Sequence, residues 1–397
     1  MNWLDTSLQV MLWSSLAAIV YAYIAYPVII FLCARGFGRQ SIPPHLAEED
    51  LPTVSVLIAA YNEEAVIQDR IRNALALNYP AGKLEIVIAS DGSSDDTNAI
   101  VQRFATRGVQ LLDYPKRRGK ASVLNSSVPA MQGEIVILSD ANTDFDSSAV
   151  RNLVQWFTNP AIGAACGRLV LTDPVSGRNV DSLYWRYETF IKKSEGKLGA
   201  LLGANGAIYA IRRKLYTAIP PETLIDDFVI PLLAKIRTRC KIVYDPNAIA
   251  REETPPDVGS EFHRRSRIGA GGFQSIGFLW RLLNPLRGWI AFTFFSHKIL
   301  RWIGPFLLIA ILFCSALLCS IPAYRLILSS QLAFYLSSFL ASKLPPRFKL
   351  LRPLRLATMF TGMNCALLVG FWRWIRGSQK AAWKRTVRSA ELEEAIR

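Results

Sequence analysis

The chain of 397 residues contains only six cysteines and three histidines. So few cysteines at this length exclude a small secreted scaffold held together by disulfides. The histidines, His45, His263 and His297, do not form the H-E-x-x-H pattern of a zinc hydrolase. Four of the cysteines lie in apolar runs, where a thiol behaves as a small hydrophobic side chain, and none belongs to a C-x-x-C pair.

Charge is also scarce, and acidic charge most of all. Charged residues make up 19% of the chain, below the ~25% typical of soluble domains. Lys plus Arg number 46 against 31 Asp plus Glu, giving a net charge of +15. The hydrophobic content of 51% excludes a disordered chain. A basic balance suits nucleic acid or an anionic membrane surface. Many basic residues flank apolar runs, so we expect membrane lipids and no nucleic acid as partners.

An uncharged run from Thr6 to Ala34 lies near the start of the chain. It exceeds the ~20 apolar residues that a helix needs to cross a bilayer. No Lys or Arg precedes it, and it is too long for the apolar region of a signal peptide. We therefore predict an uncleaved transmembrane anchor over residues 1–35. Arg35 and Arg39 follow, which predicts a cytoplasmic location for the next segment.

The C-terminal third contains further apolar runs, which predict transmembrane helices within residues 302–375. The runs are Trp302–Tyr324, Leu326–Ser342 and Leu356–Trp372. Residues 284–305 mix aromatic and basic side chains, which predicts an amphipathic helix lying in the membrane interface. A basic tail over 376–397 leaves open the number of spans and the side of the C-terminus. We expect a multi-pass protein of the bacterial inner membrane.

The middle of the chain, residues 52–274, follows a linker over 36–51 and alternates apolar strands with helices. The predicted strands are Val54–Ala60, Leu84–Ser90, Val109–Leu112 and Glu134–Ser139. The predicted helices are Glu63–Leu77, Asp95–Thr106 and one starting at Lys120. Continuous apolar strands separated by helices predict an α/β, Rossmann-like domain with a mostly parallel sheet. Ligands of such sheets bind at the carboxyl ends of the strands.

Two familiar phosphate-binding patterns are missing from this domain. No glycine-rich dinucleotide fingerprint follows a strand, and there is no phosphate-binding loop ending in Gly-Lys-Ser or Gly-Lys-Thr. The one similar feature is Arg118-Gly119-Lys120, after the third strand. Lys120 at this helix start could contact a phosphate or could simply be solvated, and both interpretations stay open.

Polar residues cluster where the predicted strands end. The clusters are Tyr61–Glu64, Asp91–Thr97, Asp140–Asp144 and, further on, Ile225–Asp227. Their carboxylates suit a hard divalent metal such as magnesium or manganese. Asp and Ser after a strand are also ordinary turn and cap residues, and we favour that role for Asp95, Asp96 and Thr97. Because three clusters fall at separate strand ends, we favour a functional site.

At these residues the chain resembles membrane-bound family-two glycosyltransferases. These include the cellulose, chitin and hyaluronan synthases and the bacterial exopolysaccharide glycosyltransferases. The resemblance covers nearly the whole chain and lies in the order and spacing of the motifs. It implies a GT-A fold, a nucleotide-sugar donor, a divalent metal cofactor (Mn or Mg) and inversion at the anomeric carbon.

The resemblance also implies roles for particular residues. Binding of the donor nucleotide would fall to Tyr61, Glu63, Asp91, Lys120 and Asp140. Asp140-Ala141-Asn142 occupies the place of the D-x-D metal motif, so Asp140 and Asn142 would hold the metal. Ile225-Asp226-Asp227 occupies the place of T-E-D, so Asp227 would be the general base.

The resemblance places the diphosphate and acceptor contacts at Asp226 and at an arginine cluster. Arg264, Arg265 and Arg267 stand in the segment that replaces Q-x-x-R-W. A planar guanidinium matches phosphate oxygens in a bidentate way. Binding of lipid headgroups is the alternative for these arginines.

Three departures from the family pattern bear on function. Asn142 replaces a metal-binding carboxylate by an uncharged amide, and Ile225-Asp226 replaces Thr-Glu. Ile268 replaces the Trp that supports the acceptor sugar in the synthases, which puts processive polymerisation in doubt. Trp185 and Tyr187 could form a substitute platform for a sugar, although an aromatic cluster on a helix more often belongs to a core.

The leading hypothesis is a glycosyltransferase that moves a sugar from a nucleotide-sugar, with UDP-sugar expected, to a growing polysaccharide or a lipid-linked acceptor. Its partners would be the donor, a glycan or polyprenyl-linked acceptor, and an oligomeric or export partner. Two alternatives stay open: a single-sugar transferase acting on a lipid, and a catalytically degenerate scaffold subunit of an export system.

Overall fold

The structure, a computed structural model, describes residues 3–38, 42–172, 183–254, 258–343 and 352–381. These residues fall into two compact units. The larger unit lies within Ile30–Asp257 and Gln274–Thr293, and the smaller within Met1–Ile29, Val258–Phe273 and Phe294–Gln379.

The larger unit is built on an eight-stranded sheet with the order β3-β2-β1-β4-β7-β6-β8-β5. The strands are β1 (Val54–Ala60), β2 (Leu84–Asp91), β3 (Val109–Tyr114), β4 (Ile135–Asp140), β5 (Asp144–Phe145), β6 (Ile162–Thr172), β7 (Tyr209–Arg212) and β8 (Lys241–Glu253). Strands β1 to β4 pair in parallel, and so do β6 and β8. Strand β7 is antiparallel to both of its neighbours, and β5 is antiparallel to β8. The sheet is therefore mixed: the predicted parallel arrangement holds for its first four strands.

Helices cover the parallel half of this sheet. The helices of the larger unit include Glu64–Leu75, Thr97–Gln102, Lys120–Ser127, Ala149–Val154, Leu183–Lys197 and Asp226–Thr238. Strand β1 is buried along its whole length. Its side chains Val56 and Ile58 share a core cluster with Ile67 and Ile71 of the first of these helices. The helix that begins at Lys120 packs against β1 and β2. A strand covered in this way is apolar at nearly every position, which explains the run VSVLIAA, in which only Ser55 is polar.

The predicted linker over 36–51 has its last part fixed to the domain. The Nζ of Lys83 donates hydrogen bonds to the carbonyl oxygens of Glu48 at 3.1 Å and Leu51 at 2.8 Å. The Glu48 carboxylate also pairs with Arg151 at 3.1 Å. At the other end of the predicted domain, the helix Val258–Leu279 runs through position 274, so no break in secondary structure marks that boundary.

A continuous helical run from Trp3 to Phe37, with a π-helical turn at Tyr21–Ala25, is long and apolar enough to cross a membrane. Within the described residues, the pair Trp289–Trp302 and Gly304–Leu317 meets the same test only when taken together, and the two parts are bent by 54°. The helices Pro322–Ser342 and Arg352–Ile375 fall short of it because polar side chains interrupt them. The predicted set of C-terminal spans therefore stays a prediction.

The segment predicted as one interface helix over 284–305 contains two helical pieces. These are a short turn at Pro285–Arg287 and a continuous run Trp289–Trp302, which has a π-helical turn at Phe294–Ile299. Gly288, with a φ of 68°, separates the first piece from the second, because this left-handed conformation cannot continue a right-handed helix. Residues 382–397 of the predicted basic tail lie outside the described residues.

Candidate active site

The ends of β1 and β2 are joined by side-chain hydrogen bonds. The backbone N–H of Asn62 donates to Ser93 Oγ at 3.1 Å, and that of Ser94 donates to Asn62 Oδ1 at 2.9 Å. The N–H of Glu63 donates to Thr97 Oγ1 at 2.8 Å. Asn62 has a φ of 53°, a conformation that Asn tolerates better than most residues. These bonds fix the main chain at Glu63. The family resemblance predicts that Glu63 binds the donor nucleotide.

Asp95 has a structural role in the same region. Its Oδ1 accepts from the N–H of Thr97 at 3.1 Å and from the hydroxyl of Thr97 at 2.6 Å. Its Oδ2 accepts from the N–H of Glu64 at 3.2 Å. The carboxylate thus satisfies donors at the starts of two helices, which confirms the turn and cap interpretation for Asp95 and Thr97.

Asp91 is fully buried and acts on the loop that precedes Lys120. Its two carboxylate oxygens accept hydrogen bonds from the backbone N–H groups of Arg118 at 2.7 Å and Gly119 at 2.8 Å. The next residue, Gly92, has a φ of +71°, and a Cβ there would lie 2.7 Å from the backbone nitrogen of Arg117. Only glycine allows this close approach. The family resemblance assigns Asp91 to nucleotide binding, which stays a prediction. Its observed contacts hold the loop that precedes Lys120.

Tyr61 lies at the same edge of the sheet. The guanidinium of Arg117 lies 3.8 Å from the centroid of its ring, within the range of a cation–π contact. The ring is partly exposed. Tyr61 therefore offers an aromatic surface that Arg117 orients, which is consistent with the predicted contact to a nucleotide.

The centre of the candidate site is a lysine surrounded by carboxylates. Lys120 Nζ lies 2.6 Å from Asp140 Oδ1, at the end of β4, and 3.5 Å from Asp226 Oδ2. Burial by itself lowers the pKa of Lys120, but the charges of Asp140, Asp226 and Asp227 outweigh it and raise this pKa above its usual range. Lys120 is therefore a permanent cation. The sequence left open whether Lys120 contacts a phosphate or is simply solvated, and the structure places its ammonium in an ion-pair cluster with Asp140 and Asp226.

The proton affinity of Asp227 is shifted towards neutral pH. Burial and the charges of Asp226 and Asp140 raise the pKa of Asp227 to about 6, against the opposing effects of Lys120 and Lys192. A carboxylate with such a pKa is ionised at pH 7 yet accepts a proton more readily than an ordinary aspartate. The arrangement therefore suits a general base.

Asp140 and Asp227 also face one shared space. A Cβ at Gly206, in the turn before β7, would lie 3.4 Å from Asp140 Oδ2 and 3.5 Å from Asp227 Oδ2. Tyr209 stands in β7, with its hydroxyl buried and without a hydrogen-bond partner within the described residues. The structure brings together Lys120, Asp140 and the adjacent pair Asp226-Asp227, which come from three distant segments of the sequence.

Two amide side chains that sequence reasoning passed over fix the segment leading to Asp226. Asn125 accepts from the hydroxyl of Tyr216 at 2.9 Å and from the N–H of Ile219 at 3.0 Å, and donates to the Ile219 carbonyl at 2.7 Å. Gln274 accepts from the N–H of Leu224 at 3.0 Å. Asn125 lies five residues after Lys120 in the sequence, so its nearness to that candidate residue was the available signal.

A third residue that the sequence did not single out lies beneath β4. Arg70 is buried and donates to Asn73 Oδ1 at 2.7 Å and to Ser139 Oγ at 3.2 Å. Burial lowers its pKa to about 10, which the charges of Asp144 and Asp140 partly oppose. Arg70 thus supports the strand end that carries Asp140.

The metal assignment rests on Asp140 and Asn142. Asp140 Oδ1 is engaged by Lys120, whereas Oδ2 faces the space beside Gly206, and Asn142 is exposed. Across the described ranges, no group of three or more His, Cys, Asp or Glu side chains is arranged to hold a metal. One carboxylate and one amide fit a Mg²⁺ or Mn²⁺ ion that takes its remaining ligands from donor phosphates and water.

The predicted arginine cluster lies on the helix Val258–Leu279, in the smaller unit. Arg265 Nε lies 2.6 Å and Arg264 Nη1 3.5 Å from oxygens of Glu261 in the same helix. These arginines therefore share a carboxylate, and the phosphate role of Arg264, Arg265 and Arg267 stays a prediction. The sugar platform also stays a hypothesis: Trp185 is partly exposed and contacts the ring of Tyr184 edge-on at 5.9 Å.

Residues 55–218 match the sequence profile of Glycosyl transferase family 2. The chain therefore carries a family-two glycosyltransferase domain, and the resemblance seen in the sequence is confirmed.

Two relatives of known name are polysaccharide synthases. The chain is 26% identical over 268 residues to a poly-beta-1,6-N-acetyl-D-glucosamine synthase of Staphylococcus epidermidis, covering 64% of this chain and 63% of the relative. It is 26% identical over 244 residues to the enzyme of the same name from Staphylococcus aureus strain COL, covering 58% and 57%. The match thus spans less than two thirds of the length of these relatives.

A solved structure shows the same fold over nearly the whole chain. It is a mannosyltransferase from Pyrobaculum calidifontis in complex with GDP-Man and Mn²⁺. The TM-score is 0.70 at 21% sequence identity, and the match covers 93% of this chain and 99% of the other. The larger unit therefore has a GT-A-like, Rossmann-type fold with a mixed sheet.

Proposed function

We propose that this protein is an inverting glycosyltransferase that moves a sugar from a nucleotide-sugar, expected to be a UDP-sugar, to a growing polysaccharide or a lipid-linked acceptor. The observation that carries the proposal is the cluster of Asp140, Asp226 and Asp227 around Lys120 at the carboxyl edge of the sheet. Ligands of α/β sheets bind at this edge. The family-two domain and the names of the polysaccharide synthases support the reaction class.

In the proposed reaction, Asp227 accepts the proton of the acceptor hydroxyl. The freed oxygen forms a bond to the anomeric carbon, and the bond from that carbon to the diphosphate oxygen breaks. The electron pair of the broken bond leaves with the nucleoside diphosphate. Proton transfer to a placed carboxylate contributes about 100- to 10,000-fold to such a step.

The charge of Lys120 partly balances the negative charges of the carboxylates around it. The ammonium of Lys120 pairs with Asp140 at 2.6 Å and with Asp226 at 3.5 Å, which holds both carboxylates beside Asp227. Asp140 and Asn142 would hold a Mn²⁺ or Mg²⁺ ion, which would supply positive charge against the leaving diphosphate. Arg264, Arg265 and Arg267 would add donors to the same phosphates.

We place the protein in the bacterial inner membrane as a multi-pass protein with its catalytic domain on the cytoplasmic side. The helix Trp3–Phe37 supports an anchor, and Arg35 and Arg39 follow the apolar run. Nucleotide-sugars are made in the cytoplasm, so this side gives the site its donor. Membrane lipids, a glycan or polyprenyl-linked acceptor and an oligomeric or export partner complete the proposed set of partners.

The test uses the full-length protein purified in lipid nanodiscs. Several nucleotide-sugars are offered with Mn²⁺, Mg²⁺ or a chelator, and released nucleotide and product length are both measured. We expect metal-dependent release with transfer. A long product would identify a synthase, and one added sugar would identify transfer to a lipid acceptor. If no donor binds and none releases nucleotide, the proposal is wrong and a degenerate scaffold is the better description.

A further inference from the structure

The turn before β7 contains two glycines, and the backbone conformation requires glycine at only one of them. Gly203 has a φ of +75°, and a Cβ there would lie 2.7 Å from the ring of Phe228, so the backbone itself requires glycine. Gly206 has no such requirement: its φ is outside the left-handed region, and a Cβ would meet its neighbours at 3.4 Å or more. Local structure therefore does not explain a glycine at position 206.

The neighbours of that missing Cβ are the reactive groups of the site. They are Asp140 Oδ2 at 3.4 Å and Asp227 Oδ2 at 3.5 Å. In the proposed reaction, Asp140 lies on the side of the diphosphate and Asp227 on the side of the acceptor hydroxyl. The anomeric carbon must lie between the leaving and the attacking oxygen. The space beside Gly206 is therefore the space that the reacting end of the donor sugar needs.

The turn is pinned, so it has little freedom to move away from an added side chain. The N–H of Ala204 donates to the carbonyl of Asp227 at 3.0 Å. The Asn205 side chain accepts from Lys192 Nζ at 2.6 Å and donates to the carbonyl of Gly167 at 2.8 Å. The turn is thus tied to helix Asp226–Thr238, to helix Leu183–Lys197 and to β6. A methyl group at position 206 would project into the space between the carboxylates.

We propose that Gly206 is a specificity-determining residue: its missing side chain leaves the room that the anomeric end of the donor sugar occupies between Asp140 and Asp227. This inference rests on the proposed glycosyl transfer and names the part of the substrate that the space admits. The diphosphate lies on the Asp140 side of this room, so a side chain at position 206 should hinder the sugar more than the diphosphate.

The test compares Gly206→Ala and Gly206→Ser with Gly196→Ala in the full-length protein in nanodiscs. Gly196 is a matched control, since its φ is ordinary and a Cβ would lie 3.7 Å from the backbone nitrogen and the Cβ of Tyr244. Binding of the nucleoside diphosphate, binding of the nucleotide-sugar, transfer and thermal unfolding are measured for each variant.

We expect both Gly206 variants to lose less affinity for the nucleoside diphosphate than for the nucleotide-sugar. They should bind the nucleotide-sugar about 10-fold more weakly and transfer about 100-fold more slowly, because misplacement of a reacting group by an ångström has costs of that order. The Ser variant should be at least as impaired as the Ala variant, and Gly196→Ala should be unchanged.

Two outcomes would overturn this inference. One is wild-type binding and transfer of the nucleotide-sugar by Gly206→Ala. The other is a clearly lower melting temperature for that variant, which would show that the position needs glycine for folding. Failure of the proposed function can be told apart from failure of this inference. If the proposed function is wrong, the wild type itself will neither bind nor turn over a nucleotide-sugar.

Discussion

Two parts of the candidate site use carboxylates in opposite ways. The first, which we call the donor edge, comprises residues 61–64 and 91–97 at the ends of β1 and β2 together with the loop that Asp91 holds. There, the oxygens of Asp91 and Asp95 accept hydrogen bonds from backbone N–H groups and a hydroxyl. The second, the acidic cluster, consists of Lys120, Asp140, Asp226 and Asp227. There, three carboxylates lie around one lysine.

This difference separates carboxylates that build the fold from carboxylates available for chemistry. A buried carboxylate with its donors satisfied stabilises the loops around it, so its loss should cost stability. A carboxylate crowded by like charges is destabilised when ionised, so its loss should cost activity while sparing the fold. The following predictions test this contrast, from the largest expected effect to the smallest.

Asp227→Asn should reduce transfer by about 1000-fold or more, since an amide cannot accept the proton and general-base catalysis is worth about 100- to 10,000-fold. Nucleotide binding should be kept. The melting temperature should stay equal or rise, because a crowded negative charge is removed. Asp113→Asn, an exposed carboxylate on β3, is the matched control. Transfer at the wild-type rate would contradict the assignment of the base.

Lys120→Met should leave Asp140, Asp226 and Asp227 without their shared cation. We expect a loss of about 1–2 kcal/mol in unfolding free energy at pH 7.5, less than for a fully buried pair because the Asp140 side chain is 37% exposed, and transfer about 100-fold lower. At pH 5.5 part of the stability should return as carboxylates take up protons. Unfolding is measured at both pH values, with Lys120→Arg as the charge-conserving control. An equal loss at both pH values would argue against charge as the cause.

Asp91→Asn should act through the loop of Arg118 and Gly119. An amide presents one acceptor where the carboxylate presents two, so one backbone N–H loses its partner. We expect unfolding free energy to fall by about 1–3 kcal/mol and nucleotide affinity to fall about 10-fold as the loop shifts. Calorimetric titration with a nucleoside diphosphate checks this, with the exposed Asp96→Asn as control. Unchanged affinity in a destabilised variant would restrict Asp91 to a folding role.

The pH dependence follows from the raised pKa of Asp227, about 6. Below this pH the carboxylate is protonated, so transfer should fall about tenfold per pH unit. The effect of pH on folding stability has the opposite sign to its effect on the transfer rate. The folded state binds this proton more tightly than the unfolded chain, so the contribution of Asp227 to stability declines as pH rises from about 4 to about 6. Initial rates from pH 5 to 8 test the first point, and a flat profile would contradict it.

Asp95→Asn should have the smallest effect on chemistry, because this carboxylate serves only main-chain and hydroxyl donors next to it. We expect a loss of about 1 kcal/mol in unfolding free energy and a transfer rate within about twofold of the wild type. Paired measurements of unfolding and initial rate are sufficient. A transfer rate reduced as strongly as in Asp227→Asn would remove the distinction between the two parts of the site.

The local pattern of apolar and polar residues was sufficient to predict much of the parallel half of the sheet. The predicted strand Val54–Ala60 and the helix start at Lys120 agree with the structure, because unbroken apolar runs and helical periodicity reflect burial directly. The helix predicted over Asp95–Thr106 is shorter, since α-helix covers Thr97–Gln102 and the chain turns at Gly108, whose φ is 84°. The antiparallel pairing of β7 was not predictable, since strand order depends on contacts between distant segments.

The sequence by itself determined the chemistry of this protein: which carboxylates and which lysine follow the apolar strands, and their likeness to family-two glycosyltransferases. Only the tertiary structure decided how these groups act on one another. It joined Lys120 to Asp140 and Asp226, left Asp91 and Asp95 to the main chain, and set Gly206 between two carboxylates. The physical reason is that charge coupling depends on distance and burial in space, and the order of strands in the sheet sets both.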